Sequence, residues 1–189
     1  MELVFDTETT GLTPLSFVTE RNYMRWPRLV QIAWGVITEE GLQIQKKAIV
    51  RPVGFNIPND SMRIHGITHK QALEEGKDLK EVLISLNKAM QTARTIIAHN
   101  LNFDLGIVQS EAMRLNLRLN FPNKRQCTAY IGKSYMRRAQ KMRLSDFPRL
   151  SDLHKTLFGY EYENQHDARN DVIACANVYA ELKKLGYAK

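Results

Sequence analysis

The sequence predicts an α/β fold: a sheet that begins with antiparallel strands and is covered by helices. Two strand-like apolar runs flank the turn signal Glu39-Glu40-Gly41, which predicts a hairpin. A later apolar run, Thr95 to Ala98, leads straight into a helical pattern, as in α/β proteins. Long runs with apolar residues three and four apart predict the covering helices. The 189 residues fit one domain with a sizeable core, so we expect a single domain over 1–189.

The first half of the chain supplies three strands and one long loop. The predicted strands are Met1 to Phe5, Leu29 to Thr38 and Leu42 to Val50. Residues 13–27 read as a loop, because Pro14 and Pro27 bracket it. This loop interleaves bases with aromatic residues: Arg21, Tyr23, Arg25 and Trp26. Such a mixture suits stacking on unpaired nucleic-acid bases, and it equally suits a loop pinned by buried rings.

The helices follow from capping residues and apolar periodicity. Thr68 with Gln71 three residues later forms a capping-box pattern that predicts a short helix. A longer helix is predicted over Leu79 to Thr92, and another after Ala98 to about Leu115. Ser151 is the expected N-cap of a helix that Gly159 ends. The last helix, about Asp167 to Leu185, would turn four residues inward: Val172, Ala176, Tyr179 and Leu182.

Composition excludes several classes of protein. The hydrophobic share of 43% and charged share of 25% are ordinary for a globular protein. No apolar run approaches the roughly 20 residues of a membrane span. The first fifteen residues carry three acids and no basic residue, which is not typical of a signal peptide. Cys127 and Cys175 are too few for a disulfide framework, so we expect a cytoplasmic protein. Since no apolar run is long enough for a membrane span, we expect no membrane partner.

The net charge of +7 is concentrated in one segment. Residues 124–149 hold eight Lys and Arg residues and one acid, so this segment carries as much net charge as the whole chain. Such a segment predicts binding of a polyanion, and the alternative is a solvated charged face. It shows no clean periodicity, and we expect it to be partly flexible. A substrate clamp and a partner-docking surface both remain open, and the residues to neutralise are Arg137, Arg138, Lys141 and Arg143.

Four acids and one histidine stand out. Asp6 and Glu8 lie two residues apart at the end of the first strand, so they point the same way and repel each other. A hard divalent ion such as Mg²⁺ explains such a pair, although a strand running into a polar turn explains it too. Asp104 starts a helix after a strand, where α/β folds place ligands. Asp171 lies five residues after His166, on an otherwise apolar helix face, where an acid requires a partner.

Three motifs in order resemble one family. They are D-T-E-T-T-G-L at Asp6 to Leu12, H-N-L-N-F-D at His99 to Asp104, and H-D-A-R-N-D at His166 to Asp171. The L-V-Q-I-A run and the I-H-G-I-T run at Ile64 to Thr68 also match. The chain thus resembles the DnaQ-like 3′→5′ exonucleases of the DEDDh group, the family of the proofreading epsilon subunit of DNA polymerase III. Its His-x4-Asp spacing differs from the Tyr-x3-Asp of the sister group.

The resemblance implies a ribonuclease H-like fold with a mixed sheet of about five strands, the first three antiparallel. It implies two divalent metal ions, Mg²⁺ or Mn²⁺, held by Asp6, Glu8, Asp104 and Asp171. His166 would be the general base, and Glu8 would also touch the terminal 3′-hydroxyl. Expected substrate contacts are Thr9, Thr10, Leu12, His99 and Asn100.

The implied reaction is hydrolysis of single-stranded nucleic acid from its 3′ end, with DNA favoured, to nucleoside 5′-monophosphates. One alternative is an exoribonuclease that acts on short RNA or RNA 3′ ends, because contacts to the 2′-hydroxyl are not visible in sequence. Another is a non-catalytic nucleic-acid-binding or polymerase-associated module. A polymerase partner would have to be a separate chain.

Overall fold

The computed structural model describes residues 1–13, 15, 17–142 and 145–188. Within these residues, five strands form one sheet in the order β3-β2-β1-β4-β5. The strands are β1 (Glu2–Thr9), β2 (Leu29–Thr38), β3 (Gly41–Ile49), β4 (Thr95–Ala98) and β5 (Lys124–Cys127). The helices are α1 (Asn59–His65), α2 (His69–Glu75), α3 (Leu79–Thr92), α4 (Leu101–Arg114), α5 (Thr128–Arg138), α6 (Leu150–Phe158) and α7 (Ala168–Lys184), with a short 3₁₀ helix at Tyr23–Arg25.

The sheet is mixed, as predicted. Strands β1, β2 and β3 pair antiparallel, whereas β1 pairs with β4, and β4 with β5, in parallel. The first strand is longer than predicted, since Asp6 lies opposite Ala33 and Glu8 opposite Gln31 of β2. The described pairing of β1 with β4 covers only Glu2 to Val4. The acid-bearing half of β1 therefore extends beyond the end of its parallel neighbour.

The two faces of the sheet carry different cores. Leu3 and Phe5 of β1 pack with residues of α3 and α4 on one face. Val4 packs on the other face with residues of α5, α6 and α7. Because side chains alternate along a strand, Asp6 and Glu8 share the face of Val4. Thr7 shares the face of Phe5.

Most helix signals are confirmed. The Thr68 hydroxyl accepts a hydrogen bond from the Gln71 backbone N–H at 3.0 Å, as an N-cap does. The four α7 residues expected to face inward are all buried. The expectation for Ser151 is wrong, because α6 begins at Leu150 and Arg149 is its N-cap residue. Leu150 is buried beside Leu153 in the core, and this packing favours a helix that starts two residues earlier.

Segment 124–149 contains a strand and a helix that were not predicted from the sequence. Strand β5 is a polar edge strand of four residues, and α5 follows it directly. On α5, Gly132 allows a close approach to α6, since a Cβ there would lie 2.2 Å from a methyl carbon of Leu153. Residues 124–138 are therefore a strand and a helix in the fold. Arg143 and Leu144 lie outside the described residues.

Loop 13–27 is pinned by its aromatic and charged residues. Trp26 is buried, and its ring packs on Gly106, where a Cβ would lie 2.2 Å from ring atoms. Arg114 donates hydrogen bonds to the backbone carbonyls of Tyr23 and Trp26, at 2.9 and 2.7 Å. Buried Glu111 accepts hydrogen bonds from the Arg28 side chain and from the backbone N–H of Leu29, the first residue of β2. For Trp26, the alternative of a ring that pins the loop is confirmed; Pro14 lies outside the described residues.

Among the described helices, none combines the length and apolar character needed to cross a membrane.

Candidate active site

Four carboxylates and a histidine gather where β1 extends past β4. Asp6 and Glu8 come from β1, Asp104 from the first turn of α4 and Asp171 from the first turn of α7. One ligand atom each from Glu8, His166 and Asp171 lie within 4.8 Å of one another. The negative charges of Asp104, Asp171 and Glu8 add to burial in raising the pKa of Asp6. The structure thus brings the five predicted residues into one cluster.

Thr7 holds Asp104 in this cluster. Its backbone N–H and its hydroxyl both donate to Oδ1 of Asp104, at 3.1 and 2.7 Å. The N–H is available because the described pairing of β1 with β4 stops at Val4. Sequence reasoning missed this role of Thr7. The signal was present, since alternation places Thr7 opposite its two acidic neighbours on the face that carries α4.

Both oxygens of Asp171 are also held. The Tyr162 hydroxyl donates to Oδ1 at 2.7 Å, and the backbone N–H of His166 donates to Oδ2 at 3.1 Å. His166 has a φ of 64°, in the left-handed region that non-glycine residues rarely adopt. Tyr162 stacks near His154, with ring centroids 5.3 Å apart. Tyr162 was missed as well, because nothing in its sequence neighbourhood indicates the contact.

A Tyr162→Phe variant tests this positioning role. Without the hydroxyl, Asp171 loses a donor that favours its charged form, so a metal held by Asp171 should bind more weakly. We expect a loss of about 10- to 100-fold in metal affinity or activity, as for other residues that orient metal ligands. The measurement is the rate of hydrolysis against Mn²⁺ concentration. Tyr160→Phe, at an exposed neighbouring ring, is the matched control; equal metal dependence of both variants would contradict the role.

The cluster is short of positive charge. Burial and the charges of Asp171 and Asp104 raise the pKa of Glu8 to about 9. Burial raises the pKa of Asp104 to about 7, although the Thr7 hydrogen bonds oppose this rise. No Lys or Arg in the described part of the chain pairs with any of the four carboxylates. Four carboxylates that lack a positively charged partner are suitable ligands for a hard divalent cation such as Mg²⁺ or Mn²⁺.

The raised pKa values predict how stability depends on pH. The folded chain retains the Asp104 proton up to pH about 7, whereas the unfolded chain releases it near 3.8. Unfolding therefore becomes more favourable as pH rises through this window. In EDTA, we expect Tm to fall across it more steeply in the unmodified protein than in Asp104→Asn. Saturating Mg²⁺ should remove the difference, and equal pH profiles of the two proteins in EDTA would contradict the shift.

The expected substrate contacts lie near the ends of β1 and β4. The Thr9 hydroxyl donates to the Gly11 carbonyl at 2.7 Å, and the Thr10 hydroxyl accepts from the Arg28 backbone N–H at 2.9 Å. Leu12 is 89% exposed, next to the end of β1. Asn100 has a φ of 66° and occupies the N-cap position of α4, without a capping hydrogen bond from its side chain. Their contacts with a nucleotide remain predictions.

His99 links the end of β4 to two other segments. Its Nε2 lies 2.9 Å from the Pro148 carbonyl oxygen, and its Nδ1 lies 3.0 Å from the Thr128 hydroxyl. A carbonyl oxygen only accepts, so Nε2 carries the proton and Nδ1 accepts from Thr128. Burial lowers the pKa of His99 to about 4, which keeps the ring neutral. A substrate contact by His99 remains a prediction, beside this structural role.

Comparison with solved structures finds the same fold. The chain is similar to E. coli exonuclease I in complex with a dT13 oligonucleotide, with 21% identity and a TM-score of 0.74 over 97% of this chain and 40% of that chain. A zinc-ion-bound E. coli exonuclease I–ssDNA complex gives 21% identity and a TM-score of 0.76, over 98% of this chain and 40% of that one. The chain spans about two fifths of these proteins' length. These likenesses show the ribonuclease H-like fold.

Comparison with protein families identifies the chain more closely. No curated protein sequence matches it. The exonuclease family model RNase_T matches residues 3–179, a range that contains all four acids and His166. The predicted enzyme class is thereby confirmed at the level of the family. The chain belongs to the RNase_T exonuclease family, within the DnaQ-like group.

Proposed function

We propose that the chain hydrolyses single-stranded DNA from the 3′ end and releases nucleoside 5′-monophosphates. The observation that carries the proposal is the convergence of Asp6, Glu8, Asp104, Asp171 and His166 in one cluster without a pairing cation among the described residues. Membership in an exonuclease family agrees with hydrolysis at a chain end. The exonuclease I structures bound to dT13 and dA16 oligonucleotides support a single-stranded DNA substrate.

The four carboxylates would hold two divalent ions, Mg²⁺ or Mn²⁺. Ions bound there supply an activated water and stabilise charge on the attacked phosphate. Thr7 fixes the Asp104 carboxylate and Tyr162 fixes the Asp171 carboxylate, so both acids are oriented before substrate arrives. Glu8 would also accept a hydrogen bond from the terminal 3′-hydroxyl.

His166 is the proposed general base. It is exposed, and one of its ring nitrogens lies within 4.8 Å of ligand atoms of Glu8 and Asp171. A neutral imidazole at that position would take the proton of the attacking water. Its backbone N–H donates a hydrogen bond to Asp171, which holds the backbone of His166 beside that acid.

The other predicted functions become outcomes of the test. An exoribonuclease would use the same acids, and a binding module without catalysis would have no need of all five residues in one cluster. A separate polymerase chain as partner stays a prediction, as does the cytoplasmic location. The latter agrees with Cys127 and Cys175, which are both free thiols.

A gel assay tests the function directly. The substrates are 5′-labelled single-stranded DNA and RNA of the same sequence, incubated with Mg²⁺ or Mn²⁺. We expect a ladder that shortens from the 3′ end, faster for DNA. Faster shortening of RNA would favour the exoribonuclease. No shortening of either substrate in either metal would contradict the proposed function and favour the binding module.

A further inference from the structure

A groove of about 630 Å³ runs along the exposed side of α5 and is not part of the acidic cluster. It is lined by Tyr130, Lys133, Ser134, Arg137, Arg138 and Phe147. We propose that this groove binds nucleotides of the single strand upstream of its 3′ end, with bases on the aromatic rings and phosphates on the arginines. The inference rests on the proposed function, whose substrate it extends beyond the cleaved nucleotide.

The spacing of the lining residues makes the groove continuous. Lys133, Ser134 and Arg137 follow Tyr130 by three, four and seven residues, so all four lie along one face of α5. At 1.5 Å per residue, this face extends about 10 Å. On the opposite face, Gly132 packs closely against α6. The groove therefore stands on a helix whose orientation is fixed by the core.

Two exposed rings form the aromatic part. Tyr130 is 69% exposed and Phe147 is 52% exposed, and their ring centroids lie 5.8 Å apart. Lys133 lies over Phe147, with Nζ 5.1 Å from the ring centroid, and donates to the Ser145 carbonyl at 2.7 Å. These contacts hold Phe147 beside the helix while the ring remains open to solvent. Open rings beside cations suit unpaired bases, because every base presents a face that can stack.

Two arginines form the charged part. Arg137 and Arg138 are exposed in the last turn of α5, where the helix dipole favours positive charge. The helix dipole explains why two cations are tolerated in this turn. Both guanidinium groups remain exposed and can bind a ligand. Neither side chain makes an ion pair or hydrogen bond with any residue that the structure describes. One guanidinium group can donate two parallel hydrogen bonds to the oxygens of one phosphate, so a nucleic-acid backbone is a fitting occupant.

The groove adjoins the acidic cluster through His99. This ring binds the hydroxyl of Thr128, two residues before Tyr130, and the carbonyl of Pro148, next to Phe147. His99 directly follows β4 and begins the turn that leads into α4, the helix of Asp104. Helix α5 also packs on the sheet face that carries Asp6 and Glu8. A strand with its 3′ end among the acids can thus continue along α5.

Binding measurements in EDTA separate this inference from catalysis, because no hydrolysis occurs without metal. We would measure the anisotropy of 5′-labelled oligothymidylates of about 4 and about 16 nucleotides, the range of site sizes known for single-strand binders. The variants are Tyr130→Ala with Phe147→Ala, and Arg137→Gln with Arg138→Gln. Lys80→Gln with Lys88→Gln removes the same charge from exposed positions of α3, on the other face of the sheet.

The double variant Tyr130→Ala with Phe147→Ala should bind the long oligonucleotide about tenfold or more weakly than the unmodified protein does. Its affinity for the short oligonucleotide should fall much less. Tyr130→Phe with Phe147 intact should retain the affinity, since the ring remains. The arginine pair should make the slope of log K against log salt shallower by about 1.4, or 0.7 for each phosphate contact. The lysine pair should leave that slope unchanged.

Two results would overturn the inference: unchanged affinity for the long oligonucleotide in the aromatic variant, or equal slopes for the arginine and lysine variants. Either result would favour a partner protein as occupant of the groove. Hydrolysis of the short oligonucleotide by the unmodified protein with Mg²⁺ tests the proposed function separately. Failure of that reaction with the binding pattern intact would refute the catalysis and leave the groove assignment standing.

Discussion

The Asp6→Ala variant is expected to lose all detectable hydrolysis. Asp6 lies among three further carboxylates, and burial together with their charges raises its pKa well above the usual value. A carboxylate in that position makes sense as a ligand for a divalent ion, and alanine removes both the ligand atom and its charge. The measurement is the gel assay with single-stranded DNA, in Mg²⁺ and in Mn²⁺.

The fold of this variant should survive, which separates catalysis from stability. Removing a buried, repelled carboxylate relieves self-repulsion, so the metal-free variant should have a Tm equal to or above that of the unmodified protein. Glu2→Ala is the matched control, because Glu2 lies on the same strand and face at the far end, paired with Lys183. Activity of Asp6→Ala close to that of Glu2→Ala would refute the metal site.

The His166→Ala variant is expected to lose about 10²- to 10⁴-fold in rate, the range for a lost general base. The loss should appear in kcat, because alanine removes the group that accepts the proton of the attacking water. Affinity for Mn²⁺, measured by calorimetry, should change little if the ring acts on water. The matched control is His69→Ala on α2, which removes a histidine outside the acidic cluster.

A rate of His166→Ala close to that of His69→Ala would contradict the role as base. A large loss of Mn²⁺ affinity would instead make His166 a metal ligand. This role is geometrically possible, because a ring nitrogen of His166 lies within 4.8 Å of ligand atoms of Glu8 and Asp171.

The predictable parts of this fold are those whose signals are local. Strand β2 is apolar along its length, and Thr68 meets Gln71 within one helical turn, so both features can be read from neighbouring residues. The acidic cluster was also predictable, because Asp6 and Glu8 share a face by alternation, and Asp104 starts a helix after a strand. Three ordered motifs then joined acids that lie far apart in sequence.

The parts that escaped prediction depend on contacts across the chain. Strand β5 is polar and lies at the sheet edge, so pairing with β4 alone defines it. The first turns of helix α5 bury Thr128, Ala129 and Gly132, so large apolar residues face the core only near its end. The hydrogen bond from Thr7 to Asp104 spans 97 positions. Alternation along β1 gives the face on which Thr7 lies, but its partner there is set by how the elements pack.

The alternation of β1 has a consequence for which changes in length the chain tolerates. Asp6 and Glu8 point to one side of the sheet, while Thr7 between them supports Asp104 from the other side. One inserted or deleted residue between Val4 and Asp6 would exchange the two sides and turn the acids toward α4. An insertion at the exposed turn after Thr38 leaves this alternation intact. Lineages of this domain should therefore vary in length at the hairpin turn and keep the first strand free of insertions.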